Sequence, residues 1–259
     1  MIVAYLLRLP AAATISSDDM ARLMQAALQR NPATLLVLGR LLELPAALQL
    51  SKNQIVQFLR LTIDPTSEHI SALHAFFERL CSLPAAATIS SDDVEQLLQE
   101  ALQCKRVSPS FRYGVCQLPA AVELSADAIV RLLRMTIDPA NEDVAGLHEF
   151  VDELFRLPAA ATISSDDVEQ LLQEALQCKR VSLPLLDGMF ELPAAVELSA
   201  DPIARVLHTF IDFAGGDLAG LYTSVDKLCR LPAAATISRG DMAQLGQAAL
   251  QRDLACLHF

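Results

Sequence analysis

The sequence predicts an all-α protein, a right-handed α-solenoid of stacked two-helix repeats. Three observations lead to this fold class. A short motif recurs at two alternating intervals, a helix-start signal follows each copy, and apolar residues at helical spacing follow each start. A hairpin of two amphipathic helices cannot bury its own apolar faces, so neighbouring hairpins are expected to stack.

The motif Leu-Pro-Ala-Ala defines the repeat. It begins at Leu9, Leu44, Leu83, Leu118, Leu157, Leu192 and Leu231, so a shorter and a longer unit type alternate and together make one period. The stretch LPAAATISSDDVEQLLQEALQCKRVS occurs unchanged at 83–108 and 157–182. The N-terminal MIVAYLLRLP aligns with EFVDELFRLP at 149–158, so we expect the chain to begin inside an array and to be a fragment of a longer protein. The predicted single array spans 1–259, with units 9–43, 44–82, 83–117, 118–156, 157–191 and 192–230 and partial units 1–8 and 231–259.

A helix-start signal follows each motif. The eighth residue of every unit is a serine, whose hydroxyl can accept a bond from a free N–H of the first helical turn. Five units carry Asp or Gln three residues later, as a capping box requires, and every serine is flanked by apolar residues at the spacing of a hydrophobic staple. The predicted caps are Ser16, Ser51, Ser90, Ser125, Ser164, Ser199 and Ser238.

Apolar spacing predicts two helices per unit. The first runs for about 13 residues with one apolar face, for example Val94, Leu97, Leu98, Ala101 and Leu102. In the long units the sequences IDPTSEH and IDPANED end this helix, because a residue before proline avoids helical geometry. A second helix follows and runs until the next Leu-Pro-Ala-Ala breaks or bends it; its apolar positions include Val144, Leu147, Val151, Leu154 and Phe155.

Composition makes several function classes less favourable. The net charge of −11 disfavours attraction to nucleic acid phosphates or anionic membranes. No apolar run approaches the roughly 20 residues that span a bilayer. The six cysteines form no CxxC pair and several exchange with apolar residues between repeats, which favours core thiols in a reducing, cytoplasmic compartment over disulfides or metal ligation.

Two-helix units as long as those at 9–43 and 44–82 resemble the tetratricopeptide, pentatricopeptide and HEAT class of α-solenoid repeats. The near-identical, Leu/Ala-rich copies also resemble the repeat regions of type III effectors secreted by plant-pathogenic bacteria. The first resemblance implies a solenoid that binds other molecules. The second implies delivery into a host cytosol by a non-classical secretion route.

The sequence carries no recognisable catalytic motif. The carboxylate pairs Asp92–Asp93 and Asp166–Asp167 fall in a predicted first helical turn, where capping and the helix dipole account for them. No histidine is paired with a nucleophile at a known spacing, and zinc-ligand and phosphate-loop patterns are absent. We therefore expect no enzyme activity, no cofactor and no metal.

A polar stripe is the first candidate binding feature. It occupies the fourteenth and seventeenth positions of the units, where stacked first helices would align Gln, Arg and His and where Asp and Glu are absent. A solvated helix face is the alternative interpretation. The candidate stripe residues are Arg22, Gln25, Gln57, Arg60, Gln96, Gln99, Arg131, Arg134, Gln170, Gln173, Arg205 and His208, with Gln244 and Gln247 at the same positions of the last unit.

The second candidate is the segment in which the copies diverge. After the copied block the short units read LLVLGRLLE, PSFRYGVCQ and LPLLDGMFE. Such local variation suits either a different contact in each copy or relaxed packing. The most contact-like residues are Phe111, Arg112 and Tyr113.

These features favour a non-catalytic scaffold that binds a protein or peptide. A nucleic-acid reader using one or two side chains per hairpin is the alternative, which the Gln/Arg stripe supports and the net charge opposes. A structural spacer within a larger protein is the third interpretation.

Overall fold

In a computed structural model of the chain, the described residues form α-helices and short 3₁₀ turns, with no strand among them. The structure describes residues 10–30, 35–63, 70–104, 107, 109–137, 144–178, 183–212 and 218–256. The all-α prediction is confirmed for these residues; partial unit 1–8 lies outside them. The α-helices are α1 (Ser17–Arg30), α2 (Leu35–Leu41), α3 (Lys52–Leu61), α4 (Ile70–Cys81), α5 (Ser91–Gln103), α6 (Pro109–Cys116), α7 (Ala126–Ile137), α8 (Val144–Arg156), α9 (Ser165–Gln177), α10 (Leu183–Glu191), α11 (Ala200–Asp212), α12 (Leu218–Arg230) and α13 (Arg239–Cys256).

The odd-numbered helices begin directly after the serines predicted as caps. Ser90 accepts a hydrogen bond from the backbone N–H of Asp93 (3.3 Å), and the Asp93 carboxylate accepts one from the backbone N–H of Ser90 (3.2 Å). Ser51 and Gln54 form the same reciprocal capping box at the start of α3. The predicted cap is therefore confirmed for these two serines and for four others that accept a backbone N–H in the same way: Ser16, Ser125, Ser164 and Ser238. Each odd-numbered helix starts at the same point of its repeat unit.

The motif itself forms a 3₁₀ turn, which the sequence did not predict. In the turn Pro84–Thr88, the Leu83 carbonyl accepts a bond from the backbone N–H of Ala86 (2.9 Å). Proline suits the first position because it has no N–H to satisfy there and its φ is already set. The other turns are Pro10–Thr14, Pro45–Gln49, Pro119–Glu123, Pro158–Thr162, Pro193–Glu197 and Pro232–Thr236.

The chain divides into two compact structural units, called unit 1 and unit 2, and each of them contains several of the repeat units that the motif defines. Unit 1 comprises residues 1–124 and 139–150, and unit 2 comprises residues 125–138 and 151–259. Within unit 1, α1, α3 and α5 lie side by side, and so do α2, α4 and α6. Within unit 2, α7, α9, α11 and α13 form one series, and α10 contacts α12. Each unit thus has a layer built from first helices; the continuous right-handed solenoid stays a prediction.

The predicted apolar faces form the core. All five first-helix residues named as an example, Val94 to Leu102, are buried. In α8, Leu147, Val151 and Leu154 are buried and Phe155 is half-buried, whereas the side chain of Val144 lies outside the described residues. The hydrophobic pattern therefore identified the packed side of both helix types.

The cysteines differ in burial in the described part of the chain, where Cys81, Cys104 and Cys178 are half-buried. Cys116 is buried, as are Leu42 and Phe190 at the corresponding positions of the other short units. Cys229, however, is exposed, so not every thiol belongs to the core. The Cys256 side chain lies outside the described residues.

Candidate partner-binding surface

The capped helices position the polar stripe. Its members lie six and nine residues after a predicted capping serine, so they occupy equivalent positions along each first helix, counted from its N-terminus. Because these helices lie side by side within each unit, α1, α3 and α5 carry one part of the stripe and α7, α9, α11 and α13 carry another. The structure therefore brings the predicted residues together within a unit.

The stripe faces solvent. Seven side chains are exposed and five are half-buried. The exposed ones are Arg22, Gln57, Arg60, Gln96, Arg131, Gln170 and Arg205, and the half-buried ones are Gln25, Gln99, Arg134, Gln173 and His208. The outer position of each pair, the fourteenth of the unit, is exposed in every copy, including Gln244. These side chains are accessible to a partner.

Ion pairs between neighbouring first helices neutralise part of the stripe. The Arg60 Nε lies 3.1 Å from Glu100 Oε1, and the Arg134 Nε lies 2.7 Å from Glu174 Oε2. Both glutamates occupy the same site of the exactly copied block, one position beyond the stripe. Each pair is about one-third exposed, so it contributes roughly 0–1 kcal/mol to stability while cancelling a positive charge.

Further carboxylates flank the stripe on its other side. Glu95 accepts a hydrogen bond from the Gln99 amide (2.8 Å), and Glu169 accepts one from Gln173 (3.2 Å). Glu169 also lies 3.6 Å from the guanidinium of Arg205. Although the stripe positions themselves carry no acid, the surface around them is charge-balanced. Glutamates at fixed places beside the stripe were the signal for this in the sequence.

The divergent segment is only partly accessible. The copy PSFRYGVCQ contains α6. Its helical periodicity turns Phe111 and Arg112 into the interior, with exposed fractions of 4% and 0%. The Phe111 ring packs against Phe77 with 5.1 Å between ring centroids. Neither residue therefore offers surface to a partner, contrary to the expectation from sequence. Tyr113 does, since it is 44% exposed.

A second surface was missed by the sequence analysis. Within unit 1 and within unit 2 the 3₁₀ turns contact one another in series. The turn prolines whose side chains the structure describes are exposed: Pro45, Pro84, Pro119, Pro158, Pro193 and Pro232. The long-unit turns add a large apolar side chain to this ridge: Leu48, Val122 and Val196 are 62%, 56% and 55% exposed. The short units carry Ala at this position. The alternation of LPAAA with LPAAV or LPAAL was the available signal.

Unit 2 contains a polar cluster that ties two second helices together. Asp187 on α10 accepts hydrogen bonds from Ser224, which is buried, and from Lys227 on α12. Lys227 also lies 2.7 Å from Glu191. Burial alone would lower the pKa of Lys227, but the hydrogen bonds and charges of the two carboxylates outweigh it and raise that pKa. The hydrogen bonds and ion pairs within this cluster join α10 to α12, so its role is explained by the packing of these two helices.

Two structural features are absent from the described part of the chain. There, no three His, Cys, Asp or Glu side chains converge as a metal site would require. No described helix is both long and apolar enough to cross a bilayer.

Comparison with known proteins found no matching protein-family model, curated protein or solved structure.

Proposed function

We propose that this chain is a non-catalytic scaffold that binds a protein or peptide partner along the polar stripe, as part of a right-handed α-solenoid. The observation that carries the proposal is the charge balance of the stripe. Exposed glutamines stand between arginines whose charges are matched by Glu100, Glu174 and Glu169 on neighbouring helices. Such a surface offers hydrogen bonds without a strong field of either sign.

Glutamine suits the recognition of a polypeptide. Its side-chain amide has both donors and an acceptor, as does the peptide group, so a row of glutamines can pair with an extended backbone. Half-buried Gln99 and Gln173 are held by hydrogen bonds to Glu95 and Glu169, which reduces the entropy that binding must remove. Exposed Gln96 and Gln170 stand one helical turn before them.

Nucleic acid is the second candidate, and exposed Arg131 and Arg205 favour it. A phosphate backbone is bound by releasing counterions from a positive groove. The carboxylates beside the stripe and the net charge of −11 oppose such a groove. Delivery as part of a bacterial effector remains a proposal that rests on the resemblance of the repeats.

The test compares a stripe variant with a matched control. Gln96→Ala with Gln170→Ala removes two exposed stripe amides, whereas Gln49→Ala removes an exposed amide from a 3₁₀ turn. Each immobilised protein is incubated with cell lysate, with and without nuclease treatment, and the captured proteins are quantified by mass spectrometry. We expect a protein that the parent chain and Gln49→Ala retain and that the double variant retains several-fold less.

Two results would overturn the proposal. Capture that disappears on nuclease treatment would indicate a nucleic-acid reader. Equal retention by the stripe variant and the control would place binding on another surface, and the ridge of 3₁₀ turns would then be substituted next.

A further inference from the structure

A cavity of about 510 Å³ opens on the second helices of unit 1, away from the stripe. Phe77, Glu78 and Cys81 of α4 form one side, Tyr113 of α6 forms another, and Glu149 of α8 completes the rim. This volume is within the range of about 300–1,000 Å³ typical of ligand sites.

Two differences distinguish the lining of this cavity from the corresponding residues one period later in the chain. One full period later in the chain, Phe155 stands in place of Cys81 and its ring lies against the backbone of Gly188. In unit 1 the ring against the corresponding Gly114 comes from Phe77, one helical turn earlier, and the small Cys81 leaves the remaining space open.

The second difference concerns the rim. Asp187, which corresponds to Tyr113, is held by Ser224 and Lys227 in the polar cluster of unit 2. Tyr113 instead projects into solvent beside the cavity, with 44% of its surface exposed. The same repeat position therefore holds a carboxylate that is hydrogen-bonded to the neighbouring helix in unit 2 and an accessible aromatic ring in unit 1.

The lining has the chemistry of a cation site. Glu78 and Glu149 are exposed carboxylates, and Tyr113 and Phe77 supply aromatic surface that attracts cations. Burial and the charge of Glu78 raise the pKa of the Cys81 thiol to about 12, so at neutral pH this thiol is uncharged. Arg112 precedes Tyr113 but is fully buried and is not part of the lining.

We propose that this cavity binds an arginine side chain from a basic peptide segment of a partner. A planar guanidinium can stack on the Tyr113 ring while donating paired hydrogen bonds to a carboxylate. The acidic protein attracts such a segment, since the net charge is −11. The site lies on second helices, so it does not depend on the polar stripe.

Two short peptides test the proposal by NMR titration of the full chain. One has a central arginine between glycines, and the other has citrulline, which keeps the shape and loses the charge. We expect saturable shifts for the arginine peptide, centred on residues 77–81, 113–117 and 149, and none for the citrulline peptide.

Variants localise the effect. Glu149→Gln is an exposed substitution and should weaken binding of the arginine peptide about fivefold by removing one charge-assisted contact. Cys81→Phe, the residue found at 155, should close the cavity and abolish binding. The control Asp152→Asn neutralises the exposed counterpart of Glu78 one period later and should leave the affinity unchanged.

Three results would overturn the proposal. They are equal binding of the two peptides, no saturable shift at the cavity, or a quaternary ammonium such as tetramethylammonium binding there while the arginine peptide does not. The last would assign the cavity to small organic cations. None of these results bears on the stripe, whose variants leave the cavity intact.

Discussion

Asp93 has two roles at once, because one carboxylate closes the cap of α5 and also pairs with a lysine on the neighbouring first helix. It accepts a hydrogen bond from Ser90 and lies 2.8 Å from Lys52 Nζ. The Lys52 ammonium, followed by the Ser90 hydroxyl, lowers the pKa of Asp93 to about 2. In the second copy of the same block, Ala126 occupies the position of Lys52. Identical segments therefore acquire different electrostatics from their neighbours.

Replacing Lys52 with alanine should raise the pKa of Asp93 towards its ordinary value. The folded-state pKa now lies below that of the unfolded chain, about 3.9, so the stabilisation is complete above that pH and is lost as the pH falls towards 2. The Lys52→Ala chain should accordingly lose less stability than the parent over this acid range. NMR titration of the Asp93 carboxyl and urea unfolding between pH 4 and about 2 measure both effects.

Lys52→Arg is the control for this prediction, since it keeps a cation opposite Asp93. It should leave the carboxyl pKa low. A titration curve of Asp93 that is the same in the alanine and arginine variants would contradict the assigned cause.

At the scale of the element, the glycines of α6 and α10 are sites where an aromatic ring meets a helix backbone. A Cβ added at Gly114 would overlap the Phe77 ring, and one at Gly188 would overlap the Phe155 ring. Phe77 is buried and packs against Phe111, so its ring would lose this packing if an added methyl group displaced it. Glycine is therefore required here by close packing within a helix, where it is otherwise unfavourable.

Gly114→Ala should destabilise unit 1 by about 1–3 kcal/mol, the usual cost of an overpacked core. Gly246→Ala is a matched control, because nothing lies within 4 Å of the added methyl on α13. That substitution should be neutral or stabilising by up to about 1 kcal/mol. Thermal or urea unfolding of both variants decides the point. Equal stability of the two would mean that Phe77 does not restrict Gly114.

The helices were predictable because their signals are local and recur. Serine caps, capping boxes and an apolar face such as Val94 to Leu102 depend on residues within one or two turns, so repeated copies of each signal reinforce one another. The 3₁₀ turns were harder to predict from the sequence, since Leu-Pro-Ala-Ala is compatible with any break in a helix. Its proline indicates where a helix stops but not the geometry that replaces it.

Contacts between elements account for what the sequence analysis missed. Phe111 and Arg112 were chosen for their chemistry, but their burial depends on the helical phase of a short segment that differs in every copy. The flanking partners Glu100 and Glu174 come from the neighbouring repeat, and the cavity beside Tyr113 depends on Cys81 of the preceding repeat. Only the stacking of helices brings such residues together.

At the scale of the whole molecule, the balance of charge decides between a peptide and a nucleic acid as partner. The stripe arginines Arg60, Arg134 and Arg205 are matched by carboxylates on neighbouring helices, and the chain as a whole carries −11. Nucleic acid binding that depends on phosphate contacts weakens as salt is added, and the dependence is steeper when more phosphates are contacted. The parent chain should therefore show no binding to single-stranded polyuridylate RNA at physiological ionic strength in a fluorescence anisotropy assay.

Neutralising the carboxylates beside the stripe should allow the chain to bind RNA weakly. Glu100→Gln with Glu174→Gln releases Arg60 and Arg134 from their ion pairs, so weak RNA binding should appear at low salt and vanish as salt is added. Glu123→Gln with Glu197→Gln changes the net charge equally, on exposed residues of the 3₁₀ turns, and should produce no binding. If both double variants bind RNA alike, total charge rather than the pairing of the stripe controls partner choice. If the parent chain already binds RNA with a steep salt dependence, the arginines act as phosphate contacts and the stripe is a nucleic-acid surface.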